Sequence, residues 1–573
     1  MRTDRFYSIA AALPIVACVL ATIPVLEMGV NDDWSYAYIA RGVALSGRFA
    51  YTGWSQPIVG VQALWAALLI RLFGFSFTLV RLSTLPFAAG CGLVLYRLGR
   101  LAGLKRDFAL FGSASLTLSP LFIPLAASFM TDIPSLFFWL ACMYCALRAA
   151  GVANAVRACA WMAAAAALGV AGGTVRQVVW VAPLLALPAV AWFRRRERPV
   201  VVSGALLWCA SAAAAALCLR WFLAQPYAGS GMEAGADGWP HVLQDAAEWM
   251  VQLIVTGLLF ALPAASILLA GWRKALRAPS SLALGLAFTI LVGTLLWWFG
   301  DDLLLGNIVT ANGMLYSGTE ALGSRPEILT ATVCGVLKFV LAVTGTVTAA
   351  TLFENLRSRR WETAPDSHPA VDRDAPSLRP FAFVFLPPCL AYAAAVFYRG
   401  ILFDRYLLLL LPALIIPLLR HCQRKVRDAV PAAAWMVAGL FALYGIATTH
   451  DYLAAGRARL QAASALTAAG IPRTSITAGL EYDGWTELEH SGHIADADFP
   501  DEDAEDSGAP QPGRRYPVSP PFWFWAKTPS IDPVYIVAYS RLPELRDAAF
   551  APVGYRAWLP PFHRQVFTQV ARR

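Results

Sequence analysis

From about residue 8 to residue 449 the chain alternates long apolar runs with polar connections, and beyond that the pattern changes. A bilayer's hydrocarbon core, about 30 Å thick, needs roughly 20 mostly apolar residues per helical crossing. Backbone groups in lipid must be satisfied within the segment, so these runs are predicted to be helices. By length the expectation is about thirteen spans, near 8–28, 79–99, 108–127, 132–149, 158–173, 177–193, 200–222, 249–271, 280–298, 327–353, 381–398, 402–419 and 431–449. After 449 an Ala-rich amphipathic stretch, "DYLAAGRARLQAASALTAAG", leads to strand-like runs such as "PVYIVAYS" at Pro533–Ser540, with the acidic "DADFPDEDAEDSGAPQPG" (Asp496–Gly513) between them. The expected fold is an all-α polytopic membrane protein over 1–449 followed by a small outward-facing α/β domain over 450–573.

One apolar segment, "SQPIVGVQALWAALLIRLFG" (Ser55–Gly74), decides the orientation of everything after it. If it crossed the membrane, the basic clusters Arg97–Arg106, Arg194–Arg198, Trp272–Arg277 and Arg420–Arg427 would all face outward, against the positive-inside rule. As a juxtamembrane helix in the interface it leaves all four in the cytoplasm. On that reading residues 29–78, 224–248 and 300–326 and the C-terminal domain face out, and the 354–380 connection is cytoplasmic. The first apolar run is long and lacks a small-x-small cleavage pattern, so it is expected to be a retained helix that starts in the cytoplasm.

Composition agrees with this picture. Hydrophobic residues make up 58% of the 573 and charged residues only 14%, and the mean hydropathy is +0.55, far too apolar for one soluble core. The net charge of +9 falls in short clusters between apolar runs, which reads as topology and speaks against a nucleic-acid partner. All ten cysteines precede Gln423, so a disulfide framework in the outer domain is not expected. Cys142 and Cys145 form a C-x-x-C inside an apolar helix with no neighbouring His, the setting of packing residues.

Charged residues at predicted outer helix ends carry the candidate chemistry. Asp32 and Asp33 ("GVNDDWSYAYIARG"), Arg81, Asp132 ("SFMTDIPS"), Arg176 ("GGTVRQVVW") and Arg405 ("FDRYLLLLLP") are distant in sequence yet share one membrane side. Ionisable groups near lipid are costly and tend to pair or line a cavity. Two readings stand beside each other for the acidic positions. Asp32, Asp33 and Asp132 suit helix caps; they also suit a base, its neighbour and a divalent-cation site, for which Asp32 and Asp33 are the candidates. For Arg176 and Arg405 the alternatives are an internal pair, such as Arg405 with Asp404, and a phosphate, which a guanidinium binds bidentately. Asp301 with Asp302, and His490 with His493, are read as structural, and "PPFWFWAK" (Pro520–Lys527) as touching the membrane surface or packing the tail on the helices.

The ordered series "NDDWSYAYIARGVALSGRFAYTGW", "IRLFGFSFTLVRLSTLPFAAGCGLVLYRLGR", "FMTDIPSLFFWLA", "GGTVRQVVWVAPL" and "FDRYLLLLLPAL" resembles bacterial GT-C superfamily polyprenyl-phosphate-sugar glycosyltransferases, in the branch of protein O-mannosyltransferases and lipid A aminoarabinose transferases. The resemblance runs from about residue 8 to 449. It implies about thirteen helices, juxtamembrane helices in the first outer loop, Asp32 as base with Asp33 supporting it, and Asp132, Arg81, Arg176, Arg405 and Tyr36 as substrate-binding residues. Two departures stand out: Asp33 occupies a position where Glu is commoner, and "SQPIVG" lacks the basic residue that several relatives place before a Pro pair.

The resulting expectation is a multi-pass enzyme of the bacterial cytoplasmic membrane, its site facing the periplasm or exterior. It would move a sugar from an undecaprenyl- or decaprenyl-type phosphate donor to the hydroxyl of a glycan, lipid or protein acceptor, with inversion; the cofactor is left unknown, with a divalent cation as the candidate. The alternative is a transporter or flippase for a lipid-linked or polar solute, which charges at mid-membrane depth and an internal repeat would favour. The chain shows no clear repeat, and its charges gather at one face.

Overall fold

The computed structural model describes residues 2–228, 238–269, 279–299, 304–310, 313–316, 321–328, 331–357, 378–398, 402–425, 429–494 and 516–572. Helices dominate: α1 (Arg2–Ala21), α2 (Asp33–Ser46), α3 (Gly60–Phe73), α4 (Phe77–Leu82), α5 (Leu85–Leu101), α6 (Arg106–Thr117), α7 (Phe122–Ala126), α8 (Asp132–Gly151) and α9 (Ala155–Val175). These are followed by α10 (Val181–Phe193), α11 (Arg198–Leu223), α12 (Gly238–Leu269), α13 (Pro279–Phe299), α14 (Ala331–Arg357), α15 (Arg379–Tyr398), α16 (Leu411–Lys425), α17 (Ala432–Ala468) and α18 (Leu480–Ser491). Among the described residues six helical segments are long and apolar enough to cross a membrane: Phe77–Leu101, Asp132–Gly151, Ala155–Val175, Arg198–Leu223, Arg379–Tyr398 and Ala432–Ala468.

Several expected spans differ in their ends, and three of them show why. The first helix ends at Ala21 rather than near 28, because Pro24 disfavours helix before it and Ile23 sits at φ 54°. The carbonyls released there are taken up by Arg81, which donates to those of Pro24, Leu26 and Met28 at 3.1, 3.0 and 2.9 Å. The run at 108–127 breaks into α6 and α7 at Pro120, where Ser119 accepts the Phe122 N–H. The run at 402–419 begins as a 3₁₀ turn, Asp404–Leu409, before α16 starts.

The segment that decided the orientation is α3, whose 14 residues span about 21 Å, well short of a bilayer core. Leu64, Leu68 and Leu72 recur along one exposed stripe of it, the pattern of a helix lying in the interface.

The last long helix, α17, runs unbroken through 449 and carries the C-terminal domain on its extension. That domain is a five-stranded sheet: β1 (Ile476–Thr477), β2 (Tyr535–Ala538), β3 (Arg546–Asp547), β4 (Val553–Arg556) and β5 (His563–Val570). The order is β1-β2-β5-β3 with β4 also on β5, and only the β1–β2 pair is parallel. The strand expected in "PVYIVAYS" is β2.

Aromatic packing joins the sheet domain to the first outer loop. Trp34 and Trp54 face Phe524 at 6.1 and 5.3 Å, and Trp485 packs on Phe75, Phe77 and Tyr38. Thus "PPFWFWAK" packs the tail inward, with Phe524 and Trp525 fully buried. Gly484 makes this possible, since a Cβ there would stand 2.8 Å from the Trp34 ring. Glu481, fully buried, is the polar hub: it receives hydrogen bonds from Arg459 (3.0 Å), the Tyr452 hydroxyl (2.6 Å) and the Asn31 N–H (3.3 Å). A buried acid of this kind is tolerated because its acceptor capacity is filled.

Candidate functional site

The four helix ends that sequence separates by hundreds of residues converge here. Asp32 is the N-cap residue of α2, Asp132 opens α8, Arg176 follows the last turn of α9, and Arg405 lies in the 3₁₀ turn before α16. Asp32, the N-cap residue of α2, makes no capping hydrogen bond, and Asp132 lies one position inside α8, whose N-cap residue is Thr131. Instead Asp32 accepts from the Trp54 indole N–H at 3.0 Å and faces Arg405 at 3.6 Å. Asp132 accepts from Arg176 at 2.6 Å. The alternative partner for Arg405, its neighbour Asp404, is occupied elsewhere, receiving the Ile308 and Val309 N–H groups at 3.0 and 2.7 Å.

Each Arg is placed by its local chain. Gly173 in the last turn of α9 has the Trp180 ring directly against the space a Cβ would fill, so the chain folds tightly from α9 into the 3₁₀ turn Gln177–Trp180 with Arg176 at the corner. The start of α3 braces that corner through Val59 N–H to the Val175 carbonyl, 3.2 Å. Both guanidinium groups lie over the Tyr406 ring, Arg176 at 5.0 Å and Arg405 at 5.7 Å, and Arg405 also over Phe403 at 5.2 Å. Cation–π contact of this kind suits a weakly hydrated, permanently charged group.

Two carboxylates and two guanidinium groups therefore form a partly buried, charge-balanced cluster, with hydrogen-bonding capacity unspent. Among the described residues the Asp132 Oδ2, the Arg405 Nε and the Tyr316 hydroxyl are buried without a hydrogen-bond partner. Tyr36 borders the same cluster: burial, then the charge of Asp32, pushes its phenol up, while Arg405 and Arg176 oppose this. Burial likewise pushes the Tyr316 phenol up, helped by Asp33, Glu481 and Asp132 and opposed by Arg405. Buried polar atoms left unpaired are costly, and the three that border this cluster are ones a polar ligand could complete.

Asp33 and Arg81 stand apart from this group. Asp33, 1% exposed, accepts from the Val30 N–H at 2.6 Å and the Phe129 N–H at 3.0 Å, holding the loop before α2 against the segment before α8. Burial raises its carboxyl to about 6, against the opposing charge of Arg81 and the two amides. Arg81 is equally buried; its two terminal nitrogens donate to the three loop carbonyls described above, and its Nε has no partner. The acidic pair is thus split: one member faces the cluster and the other is built into the backbone.

That split bears on a divalent cation. Both Asp33 oxygens accept from main-chain amides, and the neighbour of Asp32 is a guanidinium. No group of three or more His, Cys, Asp and Glu suited to a metal occurs among the described residues. The residues present do not fit a resident cation at the acidic pair.

Of the remaining candidates, His493 stacks on Tyr227 at 4.3 Å, and Asp301 and Asp302 lie outside the described residues. Cys142 and Cys145 are buried free thiols on α8. Residues that the sequence did not single out include Tyr406, Trp54 and Tyr316. For Trp54 and Tyr406 a signal was present, since each is an aromatic within a motif already singled out; Tyr316 had none.

No family model matches the chain, and no curated protein matches it. Solved structures do resemble it. ArnT from Cupriavidus metallidurans bound to undecaprenyl phosphate is 13% identical, covers 98% of this chain and 97% of its own, and has a TM-score of 0.41. The archaeal oligosaccharyltransferase AglB from Archaeoglobus fulgidus, in complex with an inhibitory peptide and a dolichol-phosphate, is 14% identical over 89% of this chain and 62% of its own, with a TM-score of 0.39. The arabinosyltransferase EmbB from Mycobacterium smegmatis is 15% identical over 89% of this chain and 45% of its own, with a TM-score of 0.33. The likeness extends along most of the chain.

Proposed function

We propose that this protein is a membrane glycosyltransferase that moves a sugar from a polyprenyl-phosphate donor to an acceptor hydroxyl at the outer face of the bacterial cytoplasmic membrane. The observation that carries the reading is the cluster of Asp32, Asp132, Arg176 and Arg405, with the Arg405 Nε and Asp132 Oδ2 unpartnered beside it. A lipid-linked sugar phosphate matches that unspent capacity. Its phosphate takes the free Arg405 donors, and its sugar hydroxyls donate to Asp132.

Chemistry follows from the charge balance. In the resting cluster Arg405 neutralises Asp32 across 3.6 Å. A bound phosphate draws the guanidinium toward itself and frees the Asp32 carboxylate to meet the acceptor hydroxyl. The acceptor oxygen then forms a bond to the anomeric carbon while its proton passes to Asp32. The bond from that carbon to the phosphate oxygen breaks in the same step, and polyprenyl phosphate departs with its charge held by Arg405 and Arg176. Attack opposite the leaving group inverts the anomeric centre. Asp33, through Val30 and Phe129, fixes the loop that carries Asp32.

The decisive experiment is transfer from polyprenyl-phosphate sugars by the protein in nanodiscs, with the anomeric configuration of the product read by NMR. Retained configuration refutes direct displacement, and movement of a lipid-linked solute across liposomes without any transfer refutes the enzyme. Comparing envelope glycans, glycolipids and glycoproteins of wild-type and deletion strains then names sugar and acceptor through the linkage that disappears.

A further inference from the structure

The tip of the β4–β5 hairpin is the most apolar exposed feature of the outer domain. It reads "AWLPPF", Ala557–Phe562, with Trp558 45% and Phe562 56% exposed. Helix α17 serves as a ruler for its height. Met436, Leu440 and Leu443 form an exposed apolar stripe on that helix, as lipid-facing positions do. His450, seven residues beyond Leu443, lies about 10 Å further along the axis at 1.5 Å per residue. Counted from the helix start at Ala432, His450 stands about 27 Å along the axis, at the outer edge of a core about 30 Å thick.

The hairpin tip is fastened at that level. The Trp558 ring stacks on His450 with centroids 4.0 Å apart, and the Trp558 and Leu559 N–H groups donate to Asp451 at 2.6 and 3.1 Å. The far side of the sheet meets α17 higher up, where Arg459 donates to the Ala478 carbonyl at 3.1 Å and its guanidinium lies 5.6 Å from the Tyr539 ring. Eight residues separate Asp451 from Arg459, about 12 Å of helix. The strands therefore rise away from the bilayer, and the tip is their lowest point.

The tip is also held in shape. Ala557 N–H donates to the Phe562 carbonyl at 2.8 Å, and Arg564 donates to the carbonyls of Leu559, Pro560 and Pro561 at 2.9, 3.1 and 3.0 Å. On either side of the tip Arg556 and His563 are exposed. Aromatic side chains braced at headgroup height, with a cation beside them, match the chemistry of a phospholipid interface.

We propose that this hairpin seats in the headgroup layer of the bilayer face from which α17 emerges, with Trp558 and Phe562 at the acyl boundary and Arg556 among the phosphates. The outer domain then has a second membrane attachment besides α17. This attachment is independent of the reaction assigned above.

A genetically encoded environment-sensitive fluorophore replacing Phe562, in full-length protein in nanodiscs of phosphatidylethanolamine and phosphatidylglycerol, tests this. A matched probe replaces Glu544, which is exposed in the turn before β3. Lipids carrying a nitroxide near the top of the acyl chain should quench the Phe562 probe about twofold or more and leave the Glu544 probe unchanged. A probe at Trp558 should report the same, which guards against a local effect of the label. Equal quenching at both sites, quenching only by a water-soluble nitroxide, or shielding of the tip that depends on protein concentration would each overturn the proposal.

Discussion

Replacing Asp32 by Asn tests the proposed chemistry with the smallest change of shape. The amide oxygen still accepts the Trp54 indole N–H now held at 3.0 Å, so α2 keeps its entry geometry. What disappears is the negative charge 3.6 Å from Arg405. At an effective dielectric of about 20 that pair amounts to about 4–5 kcal/mol of Coulomb energy, but partial exposure and the remaining field of Asp132 reduce the expected loss of stability to about 1–2 kcal/mol. The kinetic effect should be far larger, since removing a general base costs about 10²–10⁴ in rate, equivalent to about 3–5.5 kcal/mol of barrier. The assay pairs two readings in nanodiscs: sugar transfer from a polyprenyl-phosphate donor, and the thermal upshift produced by undecaprenyl phosphate alone. Asp32→Asn should lose transfer and keep the upshift, because the freed guanidinium still meets the phosphate. Transfer within about threefold of wild type would remove Asp32 from the role of base.

Four further outcomes are expected. Arg405→Ala should abolish the thermal upshift by undecaprenyl phosphate and lower transfer at limiting donor more than at saturating donor; an unchanged donor dependence would exclude phosphate binding there. Gly484→Ala should destabilise the outer domain by about 1–3 kcal/mol, because the added Cβ meets the Trp34 ring at 2.8 Å, and a shift in Tm by scanning calorimetry reads it. Glu481→Gln should cost about 3–5 kcal/mol by leaving Arg459 buried without its counter-charge, seen as faster proteolysis of the C-terminal domain. Asp33 titrates near 6 in the folded chain, above the usual carboxylate value near 4, so its contribution to stability falls as pH rises through that window. The Tm of wild type relative to Asp33→Asn should accordingly decrease between about pH 4 and 6 and level off above; an increase would reverse the assigned sign.

The parts of this protein legible in its sequence are those that a one-dimensional pattern encodes. Apolar runs marked the helices, and the basic clusters that follow it were the reason to read the α3 segment as lying in the interface rather than crossing. The charged residues at outer ends were visible because lipid makes any ionisable group there conspicuous. Helix ends were less legible. The stop of α1 at Ala21 depends on Pro24 and on a guanidinium 57 residues away that collects the freed carbonyls. The 3₁₀ turn at Asp404 likewise depends on where the Ile308 and Val309 amides stand in space, whereas the break before α7 rests on Ser119 and Pro120 beside it.

The site divides in the same way. Residue type and membrane side put Asp32, Asp132, Arg176 and Arg405 in one set with Asp33 and Arg81, and nothing in the linear order could sort them. Adjacent residues at a helix start point in different directions, so Asp32 reaches Trp54 and Arg405 while Asp33 turns inward to two backbone amides. Tyr316 and Tyr406 join the cluster from loops whose positions follow only from packing. Sequence by itself determined which segments are helical and which residue types are available at their ends, because hydrophobic periodicity acts locally. Tertiary structure alone decided which carboxylate of the pair faces a guanidinium and which is tied to backbone amides, because those contacts join residues far apart in the chain.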